Sequence, residues 1–297
     1  MQPGVPPHQP VMVKEVLEWL RPGPGQVVLD CTVGVGGHAS AILKELGPSG
    51  LLLGVDRDEE ALEMAQRFLA PFARKNIQLF HADYRDAESI LEEAGVKGGK
   101  VDGIFLDLGA SSFQLGTPER GFSFREEGPL DMRMDRSEKV TAASLLEKLS
   151  VEELADVFWK FGEERWSRRI ARAIKRAAPV KTTTQLASLI ERTVPGRRGK
   201  IHPATRVFQA LRIAVNRELE GLEAFLSTCH RFQRSGGRTV AISFQSLEDR
   251  IVKHAFLEGS RAGIYRLLTK KPVRPSREEV QKNVRARSAK LRAVERL

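Results

Sequence analysis

A chain of 297 residues, 41% of them hydrophobic, holds enough apolar material for one large domain or one domain carrying an insert. None of its apolar runs approaches the roughly 18 residues of a membrane span, and two cysteines, Cys31 and Cys229, supply neither a disulfide framework nor a zinc spacing. Membrane anchoring, a secreted disulfide scaffold and a metal centre are therefore not expected, and the net charge of +10 points to a polyanionic partner.

Met1–Pro7 shows neither the basic nor the apolar region of an export signal, so a cytoplasmic protein with reduced thiols is expected. Val11–Leu20 reads as a short amphipathic helix stopped by Arg21-Pro22-Gly23-Pro24-Gly25. Val27-Val28-Leu29-Asp30 reads as a strand that runs into Gly34-Val35-Gly36-Gly37-His38 and a following helix. Leu51–Asp56 is a second strand, Glu59–Phe72 a helix, and Ile77–Tyr84 a third strand. Asp86–Ala94 is another helix, and Val101–Asp107 a fourth strand. Strands alternating with helices predict an α/β fold with a parallel sheet and right-handed crossovers.

The glycine turn by itself admits two ligands. Gly34-x-Gly36-x-x-Ala39, with Asp56 downstream, satisfies a relaxed dinucleotide fingerprint and hence an NAD-dependent oxidoreductase. It also suits a nucleoside cofactor without a pyrophosphate. In a parallel sheet, ligands bind beyond the carboxyl ends of the strands, and Asp30, Asp56, Asp83 and Asp107 all fall there. A row of acids repels a pyrophosphate. It suits the sulfonium, ammonium and ribose diol of S-adenosylmethionine. On this reading Asp56 takes the ribose hydroxyls, Asp30 lies near the amino-acid end, and Asp83-Tyr84 sits beside the adenine.

After Asp107 the alternation stops. Gln114–Arg136 is irregular, and its Phe122, Phe124, Met132 and Met134 argue against disorder. It reads either as a substrate-facing loop, with Phe122 and Phe124 stacking on an extruded base, or as a strap over the core. From Thr141 to Arg217 the pattern is helical. In Glu163–Ala178, Arg165, Arg168, Arg169, Arg172, Lys175 and Arg176 form a single-sign stripe, with Glu163 and Glu164 in the first turn. That stripe is expected to face phosphates, with an ordinary surface helix as the alternative. In Pro203–Leu219, His202, Thr205, Gln209, Arg212 and Asn216 form a polar row expected to face substrate or cofactor; a buried bracing network is the alternative. Glu218–Phe232 continues as helix, and Arg238–Phe244 is a fifth strand. Ile264–Leu268 and Lys290–Val294 are the final strands. The segment 266–297 carries 11 Lys/Arg against 3 Glu, an excess of +8 that reads as a nucleic-acid footprint.

Several blocks together carry a resemblance. They are Asp30-x-x-x-Gly34-x-Gly36-Gly37-His38, Asp56-Arg57-Asp58, Leu106-Asp107-Leu108-Gly109-x-Ser111-Ser112, Arg120-Gly121-Phe122-Ser123-Phe124, Gly128–Met134 and Ser243-Phe244-x-Ser246-Leu247-Glu248-Asp249-Arg250. Along nearly its whole length the chain resembles the bacterial 16S ribosomal RNA cytosine-N4 methyltransferases, the RsmH or MraW family. The resemblance implies a class I S-adenosylmethionine-dependent, Rossmann-like methyltransferase sheet (residues 1–112 and 218–297). Within it sits an inserted loop and all-helical substrate-binding domain (113–217). It implies S-adenosylmethionine as cofactor, with Gly36, Gly37, His38, Asp56, Tyr84, Asp107 and Gln114 touching it. The implied substrate is a cytidine in the decoding region of 16S rRNA in the small ribosomal subunit. Asp107 is the candidate catalytic acceptor. Phe122, Phe124, Arg133, the α-helical arginines and the His202–Asn216 row are candidates for RNA. A non-catalytic RNA-binding assembly factor retaining the cofactor fold is the remaining alternative.

Overall fold

Apolar runs closing on an acid form three strands of the sheet, β1 (Val27–Asp30), β2 (Leu51–Asp56) and β4 (Val101–Asp107), and helices cover its two faces. The computed structural model describes residues 10–72, 76–195 and 202–297. Met1–Pro7, read above for an export signal, and 196–201, inside the expected helical run, lie outside the described residues.

In chain order the first elements are α1 (Val13–Leu20), β1 (Val27–Asp30), α2 (Gly37–Leu46), β2 (Leu51–Asp56), α3 (Glu59–Leu69), β3 (Ile77–His81), α4 (Ala87–Glu93) and β4 (Val101–Asp107). Then come α5 (Ser112–Gly116), α6 (Ala142–Lys148), α7 (Val151–Gly162), α8 (Ser167–Ala177), α9 (Thr183–Thr193) and α10 (Ala204–Asn216). The chain closes with α11 (Glu218–Thr228), β5 (Gln233–Ser243), α12 (Ser246–Arg261), β6 (Tyr265–Leu267), α13 (Arg277–Lys282) and β7 (Lys290–Arg296).

The chain divides into two units. One runs up to Gly109 and resumes at Leu219; the other is Ala110–Glu218. The first holds a sheet of order β3-β2-β1-β4-β5-β7-β6. β1 to β5 pair in parallel, and β7 is antiparallel to both β5 and β6. Successive strand residues point to opposite faces. Val28, Leu52, Phe105 and Val240 join one core with α1, α2 and α3. Leu29, Leu53, Ile104 and Ala241 join the other with α4, α11 and α12. The second unit has its own apolar core, built from α6 to α10 and the strap residues Leu130 and Met132.

Several boundaries differ from expectation, each for a local reason. β3 stops at His81, because the Asp83 carboxylate accepts the Arg85 N–H and opens a 3-10 turn over Tyr84–Asp86. α3 ends at Leu69 rather than Phe72. The stretch expected to be irregular contains α5, started by a reciprocal Ser111–Gln114 capping box. The helix expected over Glu163–Ala178 begins only at Ser167. Glu163 is instead the left-handed cap that ends α7 (φ 50°), so neither acid lies in the first turn of α8. The Glu164 carboxylate accepts the Trp166 N–H at 2.8 Å. The expected Pro203–Leu219 helix breaks at Arg217, which turns left-handed (φ 51°) before α11. β5 begins at Gln233, its register against β4 shifting between Val101 and Gly103. The long strap crosses tightly packed backbone: a Cβ on Gly128 would lie 1.9 Å from the Pro118 carbonyl oxygen, so only glycine fits there.

Candidate active site

The carboxyl ends of β1, β2 and β4 bring three carboxylates to one edge of the first unit. Asp30 is fully buried. One of its oxygens accepts the Thr32 N–H at 3.1 Å, and the other has no hydrogen-bond partner among the described residues. Burial pushes its pKa up to about 8, helped by the charges of Asp107 and Asp56. Asp56 accepts the Gly34 N–H at 2.8 Å and the Asp58 N–H at 2.9 Å, one on each oxygen. Burial raises it to about 6 against the pull of those backbone donors. Asp107 is raised by burial and pulled back by His38, and its buried Oδ1 has no partner among the described residues. Among the described residues, neither arginine nor lysine pairs with any of the three.

Asp83 differs from the expected fourth member of the row. Its Oδ2 lies 3.2 Å from Arg57 Nε and 2.9 Å from Arg85, so its charge is already answered. The Asp83-Tyr84 turn follows β3, and the Tyr84 ring stands edge-on to Phe225 at 5.1 Å.

The glycine turn is organised around Asp56. Gly36 caps α2 at φ 92°, a left-handed position, and a Cβ there would meet Leu69 at 2.9 Å. Gly37 opens α2, so the first-turn N–H groups of the helix lie in the turn. His38 is almost enclosed. Its Nε2 lies 2.8 Å from the Val11 carbonyl oxygen, its Nδ1 lies 3.5 Å from Asp107 Oδ2, and its ring sits 4.8 Å from Phe105. The sequence offers no pattern that pairs His38 with Asp107 or with Val11. Nor does it show that the Thr32 hydroxyl accepts the Asp107 N–H at 2.6 Å.

In the second unit most of the expected substrate residues hold the strap together. Phe122 is buried. Phe124 is half-buried, its ring 4.7 Å from His202 and 4.9 Å from Phe208. Arg133 clasps Asp131 through Nε at 2.6 Å and Nη2 at 2.8 Å. Its Nη1 donates to the carbonyls of Arg136 and Glu138. Buried Arg120 donates to the carbonyls of Arg133 and Met134 at 2.9 Å. Asn216 accepts the Met134 N–H at 2.7 Å and donates to the Met132 and Arg212 carbonyls at 2.8 Å. Gln209 donates to the Phe161 carbonyl, and Arg212 forms a two-pronged pair with Glu218 at 2.8 and 2.9 Å. Gln209, Arg212 and Asn216 of the polar row thus form a bracing network, the alternative to the expected substrate face, while His202 and Thr205 are exposed. Gln114 is buried, and its Oε1 accepts the Ser111 N–H at 3.0 Å as the cap of α5.

The arginines of α8, and Arg165 just before it, behave otherwise. Arg165, Arg168, Arg169 and Arg172 are exposed, and the Arg165 guanidinium lies 5.4 Å from the Trp166 ring. Lys175 leaves the stripe, because its ammonium caps the end of α6 at the Leu146 and Glu147 carbonyls.

Sheet order, glycine turn and strand-end acids together define a class I methyltransferase sheet. The chain belongs to the MraW methylase family, whose model matches residues 6–297. Curated relatives match over nearly their whole length. The ribosomal RNA small subunit methyltransferase H of Cyanothece sp. is 50% identical over 98% of this chain and 95% of its own. That of Thermotoga neapolitana is 51% identical over 97% and 95%. That of Syntrophotalea carbinolica is 50% identical over 98% of each chain.

Proposed function

We propose that this protein transfers a methyl group from S-adenosylmethionine to the exocyclic N4 amine of a cytidine in the decoding region of 16S rRNA, in the cytoplasm. The observation that carries it is the set of three carboxylates, unpaired by arginine or lysine, around a glycine turn in a methylase-family sheet. The relatives' shared name, a methyltransferase of small-subunit ribosomal RNA, supports the choice of substrate.

The residues fit the cofactor. Bound there, it supplies an electrophilic methyl group on a cationic sulfur. The orphaned oxygen of Asp30 calls for a donor or a cation. Each Asp56 oxygen keeps a lone pair for a ribose hydroxyl after accepting its backbone N–H. Gly36, Gly37 and His38 line the turn, and Asp83, neutralised by its arginines, holds the turn carrying Tyr84 beside the adenine. Gln114 remains a candidate contact. A dinucleotide would lay its pyrophosphate against uncompensated carboxylates.

The cytosine amine is a poor nucleophile, because its lone pair is delocalised into the ring. The protein must hold that nitrogen in line with the methyl carbon and accept its hydrogens as it pyramidalises. Asp107, with the carbonyls of Leu108 and Gly109, takes that role. RNA is gripped by the exposed arginines of α8 and by Lys270, Lys271, Arg274, Arg277, Arg285 and Arg287, all exposed in the C-terminal segment. The half-buried Phe124 and the exposed His202 are the second unit's candidates for base contact.

The test is methylation of purified small ribosomal subunits and of free 16S rRNA with labelled cofactor, mapped by mass spectrometry. Label on one cytidine N4 is expected. No label on either substrate, or retention of NAD in its place in equilibrium dialysis, overturns the reading.

A further inference from the structure

The contact between His38 and Asp107 is one that neither the sheet nor the glycine turn requires. His38 Nε2 lies 2.8 Å from the carbonyl oxygen of Val11. A carbonyl only accepts, so Nε2 carries the proton, and in a neutral imidazole Nδ1 is then a bare lone pair. That lone pair points to Asp107 Oδ2 at 3.5 Å, longer than a hydrogen bond. Neither atom can donate to the other, and a single proton placed between them turns the gap into a charge-assisted hydrogen bond. The ring is nearly enclosed and packs beside Phe105, so it is held in this orientation.

We propose that Asp107 and His38 act together as the proton acceptor of methyl transfer, Asp107 meeting the amine and His38 serving as the positioning residue behind it. The proposal rests on the role given to Asp107 above. The new N–C bond forms as the S–C bond breaks, and the electron pair of the broken bond stays on sulfur. The methylated nitrogen is left cationic and loses one N–H proton to the Asp107 carboxylate. That proton settles between Oδ2 and Nδ1 and passes to water after the products leave.

The surrounding charges agree with this. The neighbourhood is negative: the charges of Asp107 and of Asp56 on β2 both push Asp30 on β1 upward. The Cys31 thiol is held protonated by burial. Burial raises the proton affinity of Asp107, which favours its taking a proton.

Two measurements test this. The first is histidine-selective nitrogen-15 NMR of the cofactor-free protein. His38 is expected as the Nε2–H tautomer, with an Nδ1 resonance that moves in Asp107→Asn. A neutral Nδ1–H tautomer, or an Nδ1 resonance indifferent to Asp107→Asn, overturns the pairing. The second is single-turnover methylation of small subunits across pH by wild type, His38→Asn and His38→Gln, beside calorimetric binding of S-adenosylmethionine. At saturating S-adenosylmethionine, a rate about 10- to 100-fold lower with a displaced acid limb is expected, whatever the change in affinity. An unchanged rate and profile, or a loss confined to affinity, overturns the role. If the wild type itself fails to bind S-adenosylmethionine, the cofactor reading falls, and the NMR result still decides the pairing.

Discussion

Asp30 shows how one side chain links stability to ligand. Its folded pKa of about 8 stands above the ~3.9 of an unfolded chain. Between those values the folded state holds a proton that the unfolded state releases, so stability falls as pH rises through that window. Asp56, raised to about 6, adds a slope of the same sign over its lower part. Thermal melts of cofactor-free protein are expected to show Asp30→Asn gaining over wild type at pH 8 and losing that advantage near pH 5. An equal difference at both pH values would contradict the buried, unpaired carboxylate. For Asp56, losing charge-assisted hydrogen bonds worth about 1.5–3 kcal/mol predicts that Asp56→Ala weakens S-adenosylmethionine binding about 10- to 100-fold, measured by calorimetry.

Among the elements, α8 and α10 carry similar polar stripes and use them oppositely. The stripe of α8 is exposed at Arg168, Arg169 and Arg172. Three arginines on phosphates release about 2–3 counterions. Replacing all three with Gln is expected to flatten the log–log salt dependence of rRNA binding by about that amount, with cofactor affinity unchanged. The inner half of the α10 stripe is spent inside the unit, Gln209 on Phe161, Arg212 on Glu218 and Asn216 on the strap. Asn216 sits buried with one accepted and two donated hydrogen bonds. Asn216→Leu strands the Met134 N–H and Met132 carbonyl, so a loss of about 2–4 kcal/mol is expected in denaturant melts. The Arg120–Phe124 and Asp131–Met134 blocks meet through Arg120 and the carbonyls it clamps. Their residue types are explained first by that clasp.

Across the molecule, a net charge of +10 concentrated on exposed segments makes RNA binding an electrostatic event. Raising salt from about 50 to 200 mM is expected to weaken rRNA binding by about 100-fold or more. Affinity for S-adenosylmethionine, held in a largely buried site, should move far less. Filter binding beside calorimetry checks both. In the C-terminal segment part of the excess is answered from outside it: Lys290 and Arg292 pair with Asp249. The free footprint is smaller than the count of +8 implies.

What the sequence determined by itself was local and periodic. Apolar runs ending in acids placed β1, β2 and β4 to the residue, because strand periodicity and burial leave a direct mark on composition. A helical unit interrupting the sheet is a further expectation of the sequence. It was expected after 112 and until 217, and the contacts divide at Gly109/Ala110 and Glu218/Leu219. Helix ends were misread where a non-glycine residue turns left-handed, at Glu163 and Arg217, since nothing in the residue type announces it. Tertiary structure alone decided which polar groups are already satisfied. Asp83 and Asp107 look alike in sequence, yet one meets two arginines and the other meets His38. Partners far apart in the chain decide that difference, and pairwise electrostatics at a few ångströms has no counterpart in local sequence pattern.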